Sequence, residues 1–79
     1  MDEKKFEAIM VLLVPQIVEL IAENNHINEV TATAAFYESG VYAILEQEET
    51  KLWHLSPLAI YSMFDKEQKT GKFEIPEEI

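Results

Sequence analysis

His54 and Ser56 stand two residues apart in "EETKLWHLSP" (48–57), the nearest approach this chain makes to a nucleophile beside its base. Acyl transfer needs a hydroxyl within hydrogen-bond reach of a base that a third group orients. Ser56, however, directly precedes Pro57 and an apolar run, the arrangement of a helix N-cap followed by proline at the first helical position. Capping uses the hydroxyl, and no third group is placed by the sequence.

Metal chemistry is equally thin. Glu23, His26 and Glu29 recur at spacings of three, which on one helix would align them for a cation, but Asn24 and Asn25 break the helix between them. Glu46, Glu48 and Glu49 form an acidic run without the alternating oxygen ligands and sharp-turn glycine of a calcium loop. Glycines stand only at 40 and 71, too few and too far apart to cradle a phosphate. The chain contains no cysteine, which removes thiolate ligands and disulfides together. The sequence therefore assigns no catalytic, cofactor or metal residue, and the reading is a non-enzymatic protein.

Trp53, the one tryptophan, has two readings. As a plug, it joins Leu52 and Leu55 in covering a small core from a connection between short helices, since burying an indole removes about 200 Å² from water. As an anchor, it forms an interaction surface with His54 and Tyr42, because Trp and Tyr are favoured at binding hot spots.

Charge narrows the partners. Fifteen Asp and Glu against six Lys and Arg give a net charge of −9 and a pI near 4.5. Such a surface repels phosphate backbones and anionic lipid, so neither nucleic acid nor membrane is expected as a partner. The apolar run over 8–22 carries Gln16, Glu19 and Pro15 and falls short of the roughly 20 apolar residues that span a bilayer. "MDEKK" lacks the features of a signal peptide, and a cytoplasmic location is expected.

These residues must be positioned by helices. Hydrophobic spacing predicts a first helix from about Asp2 to Asn24, with Asp2 as N-cap, Phe6, Met10, Leu13, Ile17 and Leu20 on one face, and a kink at Pro15. Ile9, Leu12, Val14, Val18 and Ile21 widen its apolar surface beyond one stripe. Asn28 caps a second helix over 29–39, with Val30, Ala34 and Tyr37 inward and Gly40 as a left-handed residue past its end. A short third helix follows, with Val41, Ile44 and Leu45 on one face. The last helix starts at Ser56 and Pro57, turns Leu58, Tyr61 and Phe64 inward beside Ile60 and Met63, and ends at Gly71. Residues 71–79 read as a tail with Phe73 and Ile75 tucked back. The fold class is an all-α bundle of about four helices in one domain, 1–79. At that length folding buries only about 60–65% of the chain's surface, so stability is marginal.

"FYESGVYAIL", followed by "EETKLWHLSP" and an apolar helix, resembles short bacterial proteins of a domain-of-unknown-function type. The resemblance covers about residues 4–70. It implies a compact helical fold and, because some relatives are encoded beside toxin-like genes, an antitoxin-like or defence setting; it brings no residue assignment.

Two functions follow. The first is an interaction module that binds a protein partner or itself, as a homodimer through Val11 and Val18 of the first helix. The alternative is a small-molecule or catalytic pocket between helices near Trp53 and His54.

Overall fold

Three small polar side chains set where helices begin. Asn28 accepts a hydrogen bond at Oδ1 from the Thr31 N–H at 2.7 Å, Ser39 accepts at Oγ from the Tyr42 N–H at 3.1 Å, and Ser56 accepts from the Ala59 N–H at 3.2 Å. Each satisfies a backbone donor that a helix start leaves orphaned. The computed structural model describes residues 3–73. They form α1 (Glu3–Asn25), α2 (Glu29–Tyr37), α3 (Gly40–Leu45) and α4 (Pro57–Thr70), with two 3₁₀ turns, Glu48–Thr50 and Leu52–His54, between α3 and α4. No strand occurs among the described residues. The expected cap at Asp2 and the tucked Ile75 lie outside them.

α1 runs unbroken through Pro15. Proline has no N–H to offer the Val11 carbonyl, a loss that would be costly in a buried helix. Here both Val11 and Pro15 are exposed, so the missing bond falls on the solvent side of the helix, where its loss costs least. On its other side α1 contributes Leu13, Val14, Ile17, Val18 and Ile21 to the core, against α2 and α4.

α2 settles in a different phase from the one its apolar spacing suggested. Ala32 and Phe36 are buried, while Val30 is 80% exposed and Ala34 and Tyr37 also face out. Both sets recur at helical intervals, and outside Glu29, Thr31 and Thr33 every residue of α2 is apolar, so periodicity alone cannot choose between them. Ala32 lets α2 come close to α1, and Phe36 fills the space behind it, edge-on to Phe64 at 6.0 Å and to Tyr42 at 5.4 Å. The helix ends at Tyr37 rather than Ser39, because Ser39 is taken as the N-cap of α3.

Gly40 likewise has another role than a left-handed exit. It is the first residue of α3 with no positive φ, and its N–H donates to Glu67 Oε2 at 2.9 Å while the Val41 N–H reaches Oε1 at 3.3 Å. A Cβ there would stand 2.7 Å from Glu67 Oε2 and 3.1 Å from the Phe73 ring. The approach of the Glu67 carboxylate and the Phe73 ring, not backbone freedom, is what a side chain at this position would disturb. Gly71 does end α4 in the left-handed region, at φ 79°. On α4 itself Ile60, Met63 and Phe64 are buried and Tyr61 partly so, but Leu58, in the first turn, is exposed.

Candidate functional site

The five residues singled out for an interaction surface do not come together. Four of them divide between two grooves; Val18 is only 6% exposed and belongs to the core, reaching the floor of a third groove of about 290 Å³ between α1 and α2.

The first groove lies where the two 3₁₀ turns pass the start of α1. It measures about 500 Å³ and is lined by Glu48, Glu49, Lys51, Trp53 and His54. The Thr50 hydroxyl donates to the carbonyls of Ile44 and Gln47 at 3.0 and 2.8 Å, and Lys51 takes a left-handed conformation at φ 59°. The next residue, Leu52, is thereby turned fully into the core. Leu52 is thus the complete plug, and Trp53 is a partial one. The indole is mostly covered, packed against the core with its ring 6.3 Å from Phe6 in an edge-on arrangement. Its Nε1–H donates to the Glu48 carbonyl at 2.9 Å, and exposed His54 stacks on it at 4.0 Å. Ser56 caps α4, so its hydroxyl is committed as the sequence suggested, and nothing aligns His54 with it. Among the described residues no group of three or more His, Asp or Glu is placed to hold a metal ion.

The second groove lies along α1, one turn and more beyond Phe6. Met10, Val11, Val14 and Pro15 face Tyr37 and Tyr42 across a space of about 330 Å³. The two tyrosine rings lie 4.7 Å apart, tilted by 34°. The Tyr42 phenol is pushed above its ordinary range, first by burial and then by the neighbouring Tyr37 and Glu46. It stays neutral at any physiological pH and forms an aromatic wall, not a base.

The outward face of α1 continues from this second groove. Ala8, Val11, Leu12 and Pro15 are all exposed, Val11 and Leu12 each at 70%. Tyr37 borders this strip on the Val11 side; on the other side Gln16 and Glu19 share a groove with exposed Leu58. Leu12, Ala8 and Pro15 were not among the candidates. Their signal is present in the spacing 5, 8, 12, 15, 19, alternating steps of three and four, but the wide apolar surface of the helix hides it.

No protein-family model, curated protein or solved structure matches this chain. Among the described residues no helix is long and apolar enough to cross a membrane.

Proposed function

We propose that this protein is a non-enzymatic interaction module that pairs with a second copy of itself through the outward strip of α1. One observation carries the reading: two adjacent large aliphatic side chains, Val11 and Leu12, stand 70% exposed in the middle of the longest helix, with apolar neighbours on both sides. Contiguous exposed apolar surface of this kind marks association sites. A two-fold dimer uses one patch twice and is the commonest symmetric solution.

Magnitudes place the pairing in the weak range. Burying an aliphatic side chain gains about 1.5–3 kcal/mol. Two such residues from each copy work against an association cost of about 4–15 kcal/mol. Dissociation constants on the order of micromolar or weaker follow. A reversible dimer of that kind suits an adaptor or an antitoxin-like partner, whose assembly must open and close. The acidic surface favours basic protein surfaces over nucleic acid as further partners.

The Trp53 and His54 groove supports the small-molecule reading less well. It is open and lined mainly by charged side chains, and the indole N–H is already bonded within the chain. Ligand sites instead tend to be enclosed and mostly apolar.

Sedimentation across the range from about 1 to several hundred micromolar tests the proposal. The native chain is expected to shift from monomer to dimer, and the double variant Val11→Glu, Leu12→Glu to stay monomeric with an unchanged circular dichroism spectrum. A native monomer throughout that range would overturn the reading.

A further inference from the structure

The outward face of α1 is charged in a self-complementary way. Lys5 lies seven residues before Leu12 and Glu19 seven residues after it, and Lys5, Ala8, Leu12, Pro15 and Glu19 fall on one exposed stripe. Seven residues are about 10.5 Å along a helix, or two turns. Lys4 accompanies Lys5 at the basic end, and Glu23 lies one turn beyond Glu19 at the acidic end. The helix therefore presents a basic end, an apolar centre and an acidic end along the same side.

We infer that two copies pair with their α1 helices antiparallel, the two-fold axis passing at Leu12, so that Lys5 of each copy faces Glu19 of the other. This rests on the dimer reading above and specifies its geometry. Any antiparallel pairing centred at residue 12 sets residue 5 against residue 19, and the sequence supplies opposite charges there. Leu12 meets Leu12 at the centre, and the small Ala8 lets the backbones approach across the partner's Gln16. A parallel pair would instead oppose Lys5 to Lys5 and Glu19 to Glu19.

The helix dipole points the same way. Lysines near a helix N-terminus and a glutamate in its last turn sit where the dipole disfavours them. Glu3 is the one acidic residue in the first turn of α1, and the last turn has no basic residue. An antiparallel neighbour brings each copy's lysines toward the other's C-terminal half, where cations are favoured. The pairing also lets a chain of net charge −9 place its scarce basic groups against acidic ones at the interface.

Charge reversal provides the test, read by sedimentation or by a labelled-chain titration. Lys5→Glu and Glu19→Lys are each expected to weaken the dimer about five- to thirtyfold, since two exposed pairs per dimer become repulsive. The second variant is the decisive one. It takes the chain from −9 to −7, so relief of overall repulsion alone would tighten the dimer rather than weaken it. The double variant Lys5→Glu, Glu19→Lys, and separately an equimolar mixture of the two single variants, should return to within about threefold of native affinity. All these positions are exposed, and an unchanged helical spectrum confirms that each variant is folded. If the native chain dimerises but Glu19→Lys binds as well or better, or the double variant is not restored, the antiparallel register is wrong while the dimer stands. If the native chain is monomeric, both fall together.

Discussion

Trp53 and Leu12 are large apolar side chains that meet exposure in opposite ways. Trp53 has its needs supplied at home: the indole N–H is bonded to Glu48, one edge contact is made by Phe6, and one face is covered by His54. Leu12 has no such supply and stands mostly in water beside an equally exposed Val11. The comparison separates two things that an aromatic residue on a loop easily confuses. A side chain whose polar and apolar contacts are already internal has little left to gain from a partner. An aliphatic strip with water on it gains whenever another apolar surface removes that water. On the proposed reading, Trp53 serves stability and the α1 strip association.

The largest expected effect tests the first half of that division. Trp53→Ala removes a mostly covered indole and its hydrogen bond, and should cost about 3 kcal/mol. For a domain of this size that is a fall in melting temperature of about 12–24 °C. Calorimetry at a fixed concentration measures it, while sedimentation of the surviving fold should give an unchanged dimer constant. The comparison breaks if Trp53→Ala melts like the native chain yet no longer dimerises. Val11→Glu with Leu12→Glu is the mirror experiment, abolishing the dimer while leaving monomer stability within about 0.5 kcal/mol.

A smaller effect comes from the contact that ties α3 to α4. Gly40→Ala forces Glu67 aside, because the new Cβ would stand 2.7 Å from its carboxylate. Two backbone N–H groups at the start of α3 then lose their acceptor, at a cost of about 1–2 kcal/mol. Glu67→Gln keeps a neutral acceptor in place and should cost less than Gly40→Ala. Urea midpoints for the two variants decide this, and neither should change the dimer constant, since both lie away from the α1 strip. Because alanine favours a helix over glycine by about 0.5–1 kcal/mol, Glu67→Gln is the cleaner measure, and its melting like the native chain would mean that the Glu67 charge adds little to the cap.

The parts of the fold that the sequence disclosed are those specified by single residues. Asn28, Ser56, Pro57 and Gly71 each carry a local chemistry that works before any tertiary contact exists, and each stands where it was expected. The parts it concealed are those decided by a neighbour. Gly40 reads as a helix exit because its true reason, the Glu67 carboxylate, is 27 residues away. Val30, Ala34 and Tyr37 read as an inward face because they repeat as regularly as Ala32 and Phe36, and only the packing of α1 and α4 selects the second set. Val18 and Val11 differ in the same way. Seven residues apart on one helix, they were equivalent candidates for a surface until α2 covered the first and left the second open.

The smallest expected effect sits at Lys51, on the Trp53 side of the comparison. Its φ of 59° is a left-handed conformation that costs a non-glycine residue about 1 kcal/mol. It is held there because it joins the two 3₁₀ turns and directs Leu52 into the core. Lys51→Gly removes the steric cost but gives the unfolded chain more freedom, and the two terms nearly cancel. The steric term is the larger where φ is positive, so the variant should be more stable by up to about 0.5 kcal/mol. A shift of a few degrees in melting temperature is measurable in paired scans, and the sign is the informative part. Stabilisation means that Leu52, and with it Trp53, is held by packing strong enough to impose strain on the connection. Destabilisation would mean that the Lys51 side chain itself contributes to closing that groove against Glu48 and Glu49. The groove would then be a charged surface with its own internal balance, and the division between a stability side and an association side would have to be redrawn there.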